Sequence, residues 1–286
     1  MRLLAVLLGF SWACCAVAAD SIRDTVRDSI RFAPLPMENR ETTVKAMAPM
    51  VHYLSAQLGK PVEIVYFDRN SDIVDALVVG KVDLAHVGLL PYVDSHQRNP
   101  LVHPLIFFRE SDGNTHYRCV LVGVTTGSTP KLADVRGKRI GLTQRMSTCG
   151  YLGANAIVRK ELGIPLDKFP YKYLGSHEAV LRGVLGGTVD YGVVKEEFAN
   201  KYANLGVTIL AQSLPVPSLG IAGNRRTLGD VLFERIRTVL LATHAAEYER
   251  WGLTIRYGMA AAYDTDFDAS RSFGDPASIP PEPISH

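Results

Sequence analysis

The 286-residue sequence predicts an α/β protein of two lobes, each a mostly parallel sheet flanked by helices. Two observations carry this. Apolar runs of strand length alternate with helical patterns from about residue 29 to about residue 223, which is how helices covering a parallel sheet read. The alternation comes as two successive sets, and the chain is long enough for two cores.

The first set opens with a strand over 29–36 and an amphipathic helix over 44–58 that Gly59 closes. Residues 61–67 form the second strand. Ser71 and Asp72 open the next helix, Gly80 ends it, and a buried strand over 82–87 stops at Gly88. An apolar run over 101–108, the polar turn Asp112-Gly113-Asn114 and a long strand over 117–124 follow, and the turn marks a lobe boundary. The second set repeats the recipe: strand 138–143, a helix opening near Ser147, strand 172–174, a helix from Ser176 and strand 189–194. After a strand over 207–211, Pro215-Val216-Pro217 breaks regular structure, and the chain crosses back to a strand over 219–222. Residues 227–251 carry the longest helical pattern, with Thr227 as its cap, expected to pack on the first lobe. The expected organisation is lobe 1 over 20–112 plus 213–273, lobe 2 over 113–212, and a Pro-rich disordered tail over 274–286.

At the N-terminus, Arg2, the short apolar run 3–10 and the small residues Ala16-Val17-Ala18-Ala19 have the order of a cleavable export signal over 1–19. Ser11 and Trp12 fit a lipoprotein signal before Cys14 or Cys15 poorly. No later segment approaches the roughly 18 uninterrupted apolar residues of a membrane span. With a formal net charge of +2 and scattered basic residues, there is no footprint for nucleic acid or an anionic membrane. The expected mature protein is a soluble periplasmic monomer with no cofactor.

Small hydroxyl residues Ser147 and Thr148 sit between a strand and a helix, next to Gly150. Helix starts have unpaired N–H groups and a positive dipole end, so two hydroxyls and a few amides can wrap an oxyanion without an arginine. The plainer reading is an ordinary helix cap. Export would remove Cys14 and Cys15 and leave Cys119 and Cys149 in an oxidising compartment, and three readings of that pair stand: a structural disulfide, a thiolate site for a soft solute such as trivalent arsenic, and two unrelated buried thiols.

The order and spacing of several segments resemble the periplasmic phosphonate, phosphite and phosphate binding proteins of ABC importers. These are Ser71-Asp72-Ile73-Val74-Asp75-Ala76-Leu77 with Gly80-Lys81-Val82-Asp83-Leu84-Ala85, then Asp134-Val135-Arg136-Gly137-Lys138-Arg139-Ile140-Gly141, then Ser147-Thr148-Cys149-Gly150-Tyr151. Gly175-Ser176-His177-Glu178-Ala179-Val180 and Gly187-Thr188-Val189-Asp190-Tyr191-Gly192 agree. The resemblance implies a type II periplasmic binding protein fold and a small oxyanion handed to a transporter permease. It places a ligand-binding Ser-Thr pair at Ser147 and Thr148, a ligand-contacting histidine at His177 and a cleft aromatic at Tyr117. It also puts a carboxylate that meets a ligand amino group at Glu196 or Glu197. The aromatic expected near Asn70 and Ser71 is missing; Asn70, Ser71 and Ser218 are further candidates. Within the same resemblance, an arsenite-sensing branch would use Cys119 and Cys149 and signal to a membrane histidine kinase. A thiol enzyme pairing Cys149 with His177 is a remote alternative. A metal binder built on His86, His96, His103 and His116 is disfavoured by their irregular spacing.

Overall fold

The computed structural model describes residues 28–125, 127–268 and 278–280. The expected export signal lies outside the described residues. The chain begins β1 (Ile30–Ala33), α1 (Arg40–Leu58), β2 (Val62–Ile64), α2 (Asn70–Val78), β3 (Leu84–Val87), α3 (Leu89–Arg98) and β4 (Val102–Phe108). Asn39 caps α1 by accepting from the Thr42 N–H, and Gly59, at φ 62°, takes the left-handed turn that ends it. A short β5 (His116–Tyr117) leads to β6 (Cys119–Val124), β7 (Ile140–Leu142), α4 (Tyr151–Leu162), β8 (Tyr171–Tyr173), α5 (His177–Leu185), β9 (Tyr191–Lys195), α6 (Glu196–Lys201) and β10 (Val207–Gln212). The chain then returns through β11 (Val216–Pro217) and β12 (Gly220–Asn224) to α7 (Arg225–Leu241), α8 (Ala245–Tyr248) and β13 (Met259–Ala261).

Two sheets result, in the orders β13-β4-β12-β3-β1-β2 and β10-β6-β9-β7-β8. The βαβαβ part of each is parallel, with β1 beside β2 and β3, and β7 beside β8 and β9. Strands that carry the chain between the sheets add antiparallel pairs, β12 against β3 and β4, and β6 against β9 and β10. Both sheets are therefore mixed rather than mostly parallel. Where the two connections run side by side, β5 and β11 pair antiparallel into a two-stranded ladder.

One core lies between the first sheet and helices α1 and α7, built on Phe32, Met50, Leu54, Phe233, Ile236 and Leu240, each at most 1% exposed. The other continues from α2 and α3 through Tyr117 into the second lobe. Each buried large side chain contributes roughly 1.5–3 kcal/mol of transfer free energy, so these cores hold each lobe rigid. Asn224, fully buried, ties the crossing to lobe 1: its Nδ2 donates to the Leu77 carbonyl while its Oδ1 caps α7.

Several elements depart from the sequence reading. Helix α3 and strand β13 have no counterpart in it. The 227–251 pattern divides, because Gly229 adopts φ 70° near the start of α7 and the backbone at His244 is extended, so α8 is separate. Ile279 and Pro280 are packed against the molecule: Ile279 is 2% exposed, and Arg145 donates to the Ile279 and Pro280 carbonyls. The rest of the tail expected over 274–286 lies outside the described residues.

Cys119 and Cys149 form a disulfide that joins the start of β6 to the turn before α4, 30 residues apart in sequence. Closing a loop of that length is expected to stabilise the protein by about 3–4 kcal/mol. Urea unfolding of Cys119→Ser should therefore show a loss of that size, and an unchanged midpoint would contradict it.

Candidate functional site

Four helices start at one cavity between the lobes. Asn70 at the head of α2 and Gly88 before α3 line it from the first lobe, while Ser147 and Thr148 before α4 and His177 at the head of α5 line it from the second. Helices α1 and α7, which start elsewhere, are capped by the side chains of Asn39 and Asn224. By contrast α2, α3 and α4 have no side-chain cap, and of the four only α5 has one, from Ser176 to the Ala179 N–H. The uncapped starts of α2 and α3 thus bring amides and partial positive charge to the cavity, facing Ser147 and Thr148 in the turn before α4.

The lobes meet across this cavity by sharing those amides. The Asn70 N–H donates to Gln144 Oε1 at 2.6 Å, and the Leu90 N–H to Thr148 Oγ1 at 3.3 Å. Gln144 Nε2 donates in turn to the Asp68 carbonyl, and Asn70 Nδ2 to the Met146 carbonyl. The cavity left between them is narrow, about 20 Å³, room for roughly one water molecule. The Asn70 Oδ1 beside it is buried without a hydrogen-bond partner. Glycine is needed at Gly150, where a Cβ would collide with the Gln144 carbonyl oxygen, and at Gly88 a Cβ would press on Thr148 Oγ1 at 3.2 Å.

The Ser147-Thr148 pair precedes α4 rather than opening it. Two tight turns, Ser147 N–H to the Gln144 carbonyl and Gly150 N–H to the Ser147 carbonyl, delay the helix to Tyr151. Those turns swing Thr148 into contact with the α3 start and with the hydroxyl of Tyr117, to which it is hydrogen-bonded. Burial pushes the Tyr117 hydroxyl pKa up, so the phenol stays protonated.

His177 is buried and stacked on Phe198 at 4.9 Å between ring centroids. Its Nδ1 lies 3.1 Å from the Lys195 backbone N–H and accepts from it, which leaves the ring proton on Nε2. Burial first, and the nearby Lys195 second, lower its pKa to about 3. His177 is therefore a neutral hydrogen-bond donor.

Among the described residues the cavity lining contains no arginine. Its one ammonium, on Lys195, is engaged by Glu110 Oε2 at 2.8 Å and Glu197 Oε2 at 3.1 Å. Ser218 does not line the cavity; its Oγ donates to Glu110 Oε1 at 2.8 Å and so orients that carboxylate. Glu196 lines a second, outer cleft. The sequence reading missed Lys195 and the α3 start. Both leave traces: a lysine ending the buried run Tyr191-Gly192-Val193-Val194, and Leu-Leu-Pro following a glycine at a strand end.

The disulfide corrects two expectations. With both sulfurs bonded to each other there is no thiolate at Cys119 or Cys149 to take arsenic, and Cys149 is no nucleophile for His177 to activate. Gly153 packs against the Cys119 sulfur, so the bridge backs the site instead of lining it.

A family model described as ABC transporter, phosphonate, periplasmic substrate-binding protein matches residues 32–263. The chain belongs to this family. A phosphate-import protein PhnD of Mycolicibacterium smegmatis is 24% identical over 184 residues, 61% of this chain and a little over half, 57%, of that relative. Among solved structures, PhnD1 from Prochlorococcus marinus in complex with methylphosphonate aligns with a TM-score of 0.77 at 15% identity, covering 86% of this chain and 97% of that one. A binding protein component of an ABC phosphonate transporter from Pseudomonas aeruginosa aligns at 0.76 with 18% identity, covering 86% and 85%. At these identities the structural likeness establishes the two-lobed fold of this phosphonate-binding family member. Among the described residues no helix is long and apolar enough to cross a membrane.

His86 on β3 shares the depressed pKa of His177, about 3, again from burial first and Lys195 second. The unfolded chain takes up these protons near pH 6.5 and the folded protein only near 3, so protons favour unfolding in between. The stability these neutral rings confer is complete above pH 6.5 and is lost as pH falls towards 3. Thermal midpoints should drop from about pH 7 to about pH 5, and His177→Gln should flatten that drop by one proton's share. An identical pH slope in the variant would contradict this assignment.

Proposed function

We propose that the protein captures a small phosphorus oxyanion, of the phosphonate, phosphite or phosphate type, and presents it to the permease of an ABC importer. The observation that carries this is the convergence of the uncapped starts of α2 and α3 with the Ser147-Thr148 turn before α4 on one cavity whose lining, among the described residues, contains no arginine and no unpaired ammonium. A tetrahedral anion offers several oxygens in different directions. That suits donors arriving from several helices better than one bidentate side chain.

In this reading the contacts now closing the cleft are placeholders. An entering oxyanion takes the Asn70 amide from Gln144 and the Leu90 amide from Thr148, and it accepts from the Thr148 hydroxyl and from His177 Nε2–H. Binding and closure then share the same donors, which couples affinity to hinge motion about the β5 and β11 ladder. Leu35, Met37, Pro91 and Leu219 give the lining an apolar side. That side suits a ligand with one substituent that makes no hydrogen bonds, such as the hydrogen of phosphite or the methyl of methylphosphonate.

The family description and the named ligands of the relatives fall in the same chemical class. The export-signal order of residues 1–19 supports a periplasmic location, where the protein would act as a monomer.

Titration calorimetry with methylphosphonate, phosphite and phosphate tests this. At least one should bind, and Thr148→Val and His177→Leu should each weaken that binding roughly tenfold to a hundredfold, the worth of one hydrogen bond to a charged partner. No binding by any of the three anions would contradict the proposal.

A further inference from the structure

Lys195 stands on the wall between two cavities. It lines the narrow inner cavity and also the outer cleft, which is about 520 Å³, and Tyr117 is the other residue common to both. The lysine is 2% exposed at the end of β9. Its ammonium sits 2.8 Å from Glu110 Oε2 and 3.1 Å from Glu197 Oε2, and 5.1 Å above the centre of the Tyr117 ring. Both carboxylates are mostly buried, at 16% and 19% side-chain exposure. Glu110 is held from its other oxygen by Ser218, so the cluster is fixed on both sides of the lobe connection.

This arrangement is odd for an anion-binding protein. The one ammonium at the cavity is turned away from duty as an anion partner and spent on two carboxylates. A buried cation between two carboxylates neutralises charges that would otherwise be costly to bury. Its side chain lines both cavities and stands between them.

We propose that Lys195 is the residue that sets ligand length and charge. It fills, with its own ammonium, the place that a substituent bearing an amino group would take, and it restricts the inner cavity to oxyanions without a tail. The inference rests on the oxyanion reading of the inner cavity and deepens it. Removing the side chain beyond Cβ joins the two cavities and leaves Glu110 and Glu197 uncompensated. A ligand ammonium two carbons from a phosphonate group is then the natural replacement.

The test compares methylphosphonate with 2-aminoethylphosphonate by calorimetry on the full chain. The wild type should prefer methylphosphonate by roughly a hundredfold or more, and Lys195→Ala should move that ratio towards the amino ligand by at least about tenfold. Adding Glu110→Gln and Glu197→Gln to Lys195→Ala should abolish the gain, because space alone remains. If wild type and Lys195→Ala give the same ratio, or if wild type binds both ligands equally, the inference is overturned while the oxyanion reading stands. If neither protein binds methylphosphonate or the amino ligand, the inference is overturned, and the oxyanion reading falls with it only if phosphite and phosphate also fail to bind. Should Lys195→Ala not fold, the wild type alone decides: affinity should fall by about tenfold or more between methylphosphonate and ethylphosphonate, and a flat series through propylphosphonate overturns the inference.

Discussion

Buried backbone amides must be paired, and in this protein that constraint falls on the cleft. Three helices begin there without a side-chain cap, so their first N–H groups need acceptors from outside the helix. For α2 and α3 the acceptors come from the opposite lobe, through Gln144 and Thr148. The same unmet valence holds the lobes together and, in the proposed function, is what an anion would satisfy. A conventional cap such as Asn39 on α1 would have satisfied each helix locally and removed the reason for either.

Around that constraint the supporting parts divide into those that place donors and those that limit space. The Cys119–Cys149 disulfide fixes the turn carrying Thr148 to the central strand β6, and Gly150 lets that turn fold tightly enough to aim the hydroxyl across the cleft. The Lys195 backbone fixes the tautomer of His177, while its side chain satisfies two carboxylates on the far side. One residue therefore serves the inner cavity through its main chain and bounds it through its side chain. An arginine would have supplied more Coulomb attraction, but neutral donors of fixed direction discriminate by shape and hydrogen-bond pattern.

Much of the fold was legible because its periodicity is local. The alternation of strands and helices through both lobes and the crossing at Pro215 to Pro217 follow from runs that each element carries by itself. Helix α3 was hidden because its buried start, Leu89-Leu90-Pro91-Tyr92, reads as a continuation of the β3 run, with Pro91 arguing against a helix. The antiparallel partners of β12 and β6 were hidden too, since pairing between distant segments leaves no mark on either. At the site, Ser147, Thr148, His177, Tyr117 and Asn70 all reach one cavity. Glu196 and Ser218 do not line it, since Glu196, one residue past Lys195, lies in the outer cleft and Glu110 takes the Ser218 hydroxyl. The roles of Lys195 and of the cysteine pair needed three-dimensional contacts, because charge neutralisation and bridging are properties of pairs.

If helix-start amides hold the ligand, amide chemical shifts read that directly. In a titration of isotopically labelled protein with methylphosphonate, the largest amide shifts should fall at Asn70, at Gly88 to Leu90, and at Thr148 to Tyr151. Shifts confined to the outer cleft around Glu196, Asn200 and Lys201, with the helix starts unmoved, would contradict it.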